Sequence, residues 1–227
     1  MRKTKFKGAI FDFNGTLFFD SDKQEKAWKR FSTDVRGQPF TNDEMIKHVH
    51  GRTNRSILEF LLNREIPDDV LKYFVAKKED FYRFMCLQDK KNLKLVDGAE
   101  ALFDHLYKNK TRMTIATSSE ITNLQFFIKQ FKLNRWFNTD NLIFDDYKIK
   151  GKPAPDMYVA AAQKLNLSPA ECIVFEASES GIQSATAAGI GKIIIIDPKA
   201  EKSNFIHHPN VDLIVKDFSK IDANDYF

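Results

Sequence analysis

Cysteine is nearly absent: Cys86 and Cys172 are the only two in 227 residues. Two cysteines cannot build a disulfide framework, and without a C-x-x-C pair the chain offers no zinc-finger spacing. Long apolar runs are also missing. The longest aliphatic run, residues 193–196, has the length of a buried strand and falls far short of a membrane span. The N-terminus begins basic, but Asp12 interrupts its apolar stretch too soon for the core of a signal peptide. A large excess of one charge is missing as well. Lys+Arg number 35 against 31 Asp+Glu, a net +4, and the two signs are interspersed, so no basic stripe for nucleic acid forms. Internal repeats and low-complexity segments are absent. These absences speak against the secreted, disulfide-stapled and membrane classes. They leave the expectation of a cytoplasmic protein with no nucleic-acid and no membrane partner. The sequence has no signature of oligomeric state.

What is present suits a folded chain. Hydrophobic residues make up 43% and charged residues 29%. Phenylalanine is over-used, with 21 copies against 6 Tyr and 2 Trp, and its reading is packing. The length allows one large domain, or a core with an insert.

The short, mostly apolar run of residues 7–11 stops at Asp12-Phe13-Asn14-Gly15-Thr16, the pattern of a buried strand delivering side chains into a loop. From residue 21 to about 88 the period becomes helical. Ser21-x-x-Gln24 and Thr41-x-x-Glu44 have capping-box spacing, Thr53 can cap a third helix, and Pro67 opens a fourth with Val70, Phe74, Phe81 and Met85 on one side. Beyond about residue 93, strands (112–116, 142–144, 172–175, 192–196, 213–215) alternate with helices (121–131, 155–165, 181–188). Such alternation predicts a doubly wound, Rossmann-like α/β core with a parallel sheet. The predicted division is a core of residues 1–19 and 90–227, with an all-helical insert at 20–89.

Ligands of an open parallel sheet bind beyond the carboxyl ends of its strands. The residues there are Asp12 and Asn14, Thr117 and Ser118, and Glu176, with Lys152 a short loop beyond the strand at 142–144. Such a set suits a phosphoryl group and a divalent cation. A carboxylate can attack phosphorus to give an aspartyl-phosphate, while hydroxyl and lysine hold the phosphoryl oxygens. Magnesium, which prefers oxygen ligands, would bridge carboxylate and phosphate.

Four motifs carry a family resemblance: Asp12-Phe13-Asn14-Gly15-Thr16-Leu17, Thr117-Ser118, Gly151-Lys152-Pro153-Ala154-Pro155-Asp156, and Phe175-Glu176-Ala177-Ser178 leading to Gly181-Ile182. Together they resemble the haloacid-dehalogenase-like hydrolases, in the β-phosphoglucomutase and phosphatase branch. The resemblance implies a magnesium-dependent phosphatase of a small phosphorylated metabolite. It makes Asp12 the nucleophile, Thr117 and the Ser118 N–H the phosphoryl-binding groups, and Lys152 the neutralising cation. Glu176 would lie around the magnesium, with the main-chain carbonyl of Asn14 as a further ligand. Residues 20–89 would be a mobile cap, and Arg52 and Arg55 lie where family members place substrate-facing residues.

Two positions depart from the family pattern. Asn14 stands where the phosphatases and mutases usually place a second Asp, and an amide cannot act as a general acid. Ala177 stands where the magnesium-dependent branch usually has an Asp ligand. Both changes reduce negative charge, which predicts weak magnesium binding. They also keep open a catalytically weak phosphate-binding protein on the same fold, and a β-phosphoglucomutase-like isomerase, although Asn14 removes the latter's proton shuttle. A metal-free dehalogenase fits the segment around Glu176 less well.

Overall fold

The computed structural model describes residues 5–199 and 203–227; residues 1–4 and 200–202 of the expected core lie outside them. Six strands form one sheet: β1 (Gly8–Phe11), β2 (Arg112–Glu120), β3 (Ile143–Asp145), β4 (Cys172–Glu176), β5 (Lys192–Ile196) and β6 (Val211–Val215). Their order is β3-β2-β1-β4-β5-β6, and every pairing is parallel. Winding runs outward in one direction from β1 and in the other from β4. The reversal between these two strands opens a crevice at their carboxyl ends, the place where such sheets bind ligands.

The central strands β1, β4 and β5 are buried on both faces, so alternation sorts their side chains into two cores. Phe11, Ile173, Phe175, Ile194 and Ile196 join one cluster; Ile10, Val174, Ile193 and Ile195 join the other. The first cluster absorbs much of the phenylalanine. Phe11 stacks on Phe175 with ring centroids 4.6 Å apart, and Phe13 stacks on Phe127 at 4.2 Å. Truncating a buried ring such as Phe175 to alanine costs about 3–5 kcal/mol.

Between β1 and α5 (Ala99–Lys108), which itself precedes β2, lie the four helices of the insert: α1 (Ser21–Arg36), α2 (Asn42–Glu44), which runs on into a π-helical turn at Met45–Val49, α3 (Asn54–Leu62) and α4 (Asp68–Gln88). This helical insert has its own core, including Trp28, Phe31, Phe40, Leu58, Leu71 and Val75. The capping box at Thr41 is complete, and Thr53 caps α3 by accepting from the Ser56 N–H. The remaining helices are α5 (Ala99–Lys108), α6 (Ile121–Phe131), α7 (Asp156–Lys164) and α8 (Glu179–Ala187).

Three local expectations are corrected. Ser21 is the first helical residue rather than the cap. Asp20 holds the cap position without a side-chain cap bond, because its carboxylate is turned back to the loop after β1. The inward face of α4 is Leu71, Val75, Lys78, Glu79, Tyr82 and Cys86, with Val70, Phe74, Phe81 and Met85 only partly buried. Polar residues with buried partners lie on that face, and an apolar period cannot register them. Finally, the strand expected over 112–116 runs on as β2 through Thr117, Ser118 and Ser119, and α6 is then capped by Glu120, which accepts from the Thr122 and Asn123 N–H groups.

Candidate active site

Strand register fixes the first two site residues. Phe11 pairs with Phe175 on one side and Ile115 on the other. Asp12 therefore emerges level with Glu176 and Ala116, and its N–H donates to the Phe175 carbonyl at 2.9 Å. The chain then turns tightly: the Phe13 carbonyl accepts from the N–H groups of Thr16, Leu17 and Phe18. Gly15, at φ +76°, holds the left-handed conformation this turn requires. The turn returns the Thr16 hydroxyl to Asp12 Oδ2 at 2.8 Å.

Lys152 reaches the same point from the loop after β3. Its Nζ lies 2.6 Å from Asp12 Oδ1, 2.7 Å from Glu176 Oε1 and 3.4 Å from the Ala116 carbonyl. Lysine and both carboxylates are buried, with Asp12 retaining 6% exposure. Burial first, and then the Glu176 charge, push Asp12 up to about 7, with Lys152 opposing. Glu176 moves the other way: against its burial, Lys152 and the surrounding donors hold it below the ordinary range. Lys152 is raised by its two carboxylates in spite of burial. The two acids titrate apart, the pattern of a site with divided roles.

The expected oxygen-binding groups of β2 converge here too. Thr117 Oγ1 lies 3.5 Å from Asn14 Oδ1, and the Ser118 hydroxyl donates to the Gly51 carbonyl at 2.8 Å. That contact brings the helical insert onto the site, and Ser180 repeats it by donating to the His50 carbonyl at 2.9 Å. Gly51 has φ +72°, and a Cβ there would collide with the Ser178 and Ser180 hydroxyls. Arg52 sits at this rim, its Nη1 3.5 Å from the Lys152 carbonyl. Arg55 does not join it: its guanidinium is held within the insert by Glu59, Asp68 and the Ile66 carbonyl.

Asn14 is held on all sides. Its Nδ2 donates to Asp20 Oδ2 at 2.6 Å and Tyr82 Oη at 3.2 Å, while Oδ1 accepts from Ser119 Oγ at 2.7 Å. Tyr82 Oη also donates to Asp20 Oδ2 at 2.5 Å. Asp20 is fully buried and raised by desolvation. An amide fits between an acidic group and a hydroxyl here because it donates and accepts at once.

The donor set does not fit magnesium. Glu176 Oε1 accepts from Lys152 and from Tyr158 Oη at 2.8 Å; Oε2 accepts from the Ala177 N–H, the Ser178 N–H and Ser178 Oγ. With five donors on one carboxylate, the expected ligand role of Glu176 has no lone pair to use. Ala177 brings no oxygen, and among the described residues no group of three or more His, Cys, Asp and Glu could hold a metal. What remains at the expected metal position is the Asp12 carboxylate and the Asn14 carbonyl.

Sequence reasoning missed Thr16, Asp20, Ser119, Tyr82 and Tyr158. The tyrosines carried a signal, because a buried Tyr on an apolar helix face needs a hydroxyl partner. Asp20, at the junction of strand loop and insert, carried none beyond its charge.

Comparisons with known proteins agree with this geometry. Residues 6–189 match the model of the haloacid dehalogenase-like hydrolases. A solved hydrolase of that family, family IA variant 3, from Entamoeba histolytica superposes with a TM-score of 0.83 and 40% identity, covering 96% of each chain. A fructose-1-phosphate phosphatase of Escherichia coli is 26% identical over 83% of this chain and 96% of its own. A phosphatase of phosphorylated carbohydrates from Thermotoga maritima is 27% identical over 82% and 83%. With its sheet order, its four motifs at one crevice and these relatives, the chain belongs to the haloacid dehalogenase-like hydrolases.

Proposed function

We propose that this protein hydrolyses a small phosphorylated metabolite through an aspartyl-phosphate on Asp12. The observation that carries the reading is the buried Asp12–Lys152 pair, 2.6 Å apart, at the switch point of the sheet beside Thr117. A lysine at a nucleophile neutralises the approach of a phosphate dianion. The named activities of the relatives, on fructose 1-phosphate and on phosphorylated carbohydrates, point to a sugar phosphate as substrate.

In the first step an Asp12 oxygen attacks phosphorus and the ester P–O bond breaks. Thr117 Oγ1 and the Ser118 N–H hold the non-bridging oxygens, and one such donor is worth about 10²–10³-fold in rate. The departing oxygen takes its proton from water, since Asn14 donates a hydrogen bond but has no proton to give. In the second step water attacks the acyl phosphate, releasing inorganic phosphate and restoring the Asp12 carboxylate. Residues 20–89 act as the cap: the loop at 50–53 lies over the crevice and keeps bulk water from the acyl phosphate.

Asn14 and Ala177 favour a second reading, a phosphate-ligand binding protein of low turnover. Phosphate release from a panel of sugar, polyol and aryl phosphates separates the two. The hydrolase reading expects turnover on several esters, faster for aryl leaving groups, which need no proton. Binding without release from any ester would establish the second reading.

A further inference from the structure

We infer that Glu176 is a positioning residue that clamps Lys152 against Asp12, and that this lysine, rather than a divalent cation, supplies the positive charge a phosphoryl group meets. Phosphate binding at this site is therefore independent of magnesium. The inference rests on the phosphoryl-site reading and adds to it the source of the charge.

Three observations carry it. First, the Glu176 carboxylate is saturated. Lys152 and Tyr158 fill Oε1, while the Ala177 and Ser178 N–H groups and the Ser178 hydroxyl fill Oε2. A cation could reach it only by stripping donors from a group with no solvent exposure. The opening of α8 is built around this arrangement, since a Cβ at Gly181 would collide with the Glu176 carboxylate. Second, both Asp12 oxygens have partners, Lys152 on Oδ1 and Thr16 on Oδ2. Third, position 177, next to Glu176 at the carboxyl end of β4, is alanine. Magnesium needs near-octahedral oxygen coordination, and one carboxylate with one carbonyl gives it little hold. Lysine binds phosphate as a compact point charge and needs no such shell. Shared between two carboxylates, its ammonium is fixed where the phosphoryl group arrives.

The test is a calorimetric titration with inorganic phosphate, once in excess chelator and once in excess magnesium. The two affinities should agree within about fivefold, the lower edge of ordinary coupling between two sites. Ala177→Asp restores a ligand, and in that variant magnesium should tighten phosphate by more than this. Glu176→Gln should weaken phosphate by about tenfold or more in chelator, the weight of a hydrogen bond to a charged group. If Glu176→Gln fails to fold, Tyr158→Phe removes one donor from the clamp and should weaken phosphate in the same buffer by a smaller factor. Wild-type binding that demands magnesium would overturn the inference and leave the hydrolase reading standing. So would a Glu176→Gln variant that loses magnesium binding but keeps phosphate affinity in chelator. Phosphate binding in neither buffer would overturn the phosphoryl-site reading itself, and this inference with it.

Discussion

Among the described residues Lys23, Lys78 and Lys152 are buried against carboxylates; the carboxylate partners of Lys78 and Lys152 are buried as well, and only Lys152 lies at the candidate active site. In the helical insert Lys78 lies 2.8 Å from Glu79, with both side chains nearly sealed from solvent. Its Nζ also donates to Gln24 Oε1 at 3.0 Å and lies 4.5 Å from the centre of the Trp28 ring. Glu79 accepts from Asn54 at 2.9 Å and from Asn123 of α6 at 2.7 Å, so the pair ties insert to core. Lys152 between Asp12 and Glu176 is made of the same residue types at the same distances. What differs is placement. The Lys78 network is closed by amides from α1, α3 and α6 and by an aromatic face. The Lys152 network ends at the carboxyl edge of the sheet, with Asp12 partly open. A buried charge pair therefore does not by itself mark function; its position at the carboxyl ends of the strands is what supports the site reading.

Breaking each network should separate their roles. The largest effect is expected from Asp12→Asn, which removes the proposed nucleophile while keeping its shape: turnover should fall at least ~10⁴-fold, with the melting temperature retained, as steady-state kinetics and calorimetry would read. Lys78→Met should do the reverse. Leaving Glu79 without its cation costs about 3–5 kcal/mol of stability, read by denaturant unfolding, while kcat of the folded fraction stays within a small factor of wild type.

Asn14→Asp sharpens the contrast inside the active site. The variant would set a second carboxyl 2.6 Å from Asp20. The two must share a proton, so stability should drop by about 1–3 kcal/mol at alkaline pH, and recover as the pH falls. Unfolding curves at two pH values check this.

The smallest effect is graded by pH. With Asp12 raised to about 7, its attacking form is lost on acidification. Below that point kcat/KM should fall by about tenfold per pH unit, and above it the profile should flatten. Stability carries the opposite sign. A carboxyl whose folded pKa lies above its unfolded value binds protons better when folded, so its contribution falls as pH rises toward 7.

The sheet and the main site residues were legible in the sequence because both rest on local patterns. Strand runs ending in Asp12, Thr117 and Glu176 mark the crevice directly, and Gly151-Lys152-Pro153 stands a fixed loop beyond a strand. What escaped depends on contacts between distant segments. Tyr82 reaches Asp20 across 62 residues, Tyr158 reaches Glu176 from another helix, and Asn123 reaches Glu79 across 44. The inward face of α4 was misplaced by one position for the same reason: Lys78 and Glu79 are inside because partners from α1, α3 and α6 meet them there. The role of Glu176 was also out of reach, since five donors around one carboxylate have no linear signature.

Trapping the covalent intermediate tests the central claim most directly. The enzyme would be mixed with an aryl phosphate, quenched in acid within the first turnover, and treated with borohydride, which reduces an acyl phosphate to the alcohol. Peptide mass spectrometry should then find homoserine at position 12 in wild type and none in Asp12→Asn. Turnover without any modification at Asp12, or with modification at another residue, would contradict the account.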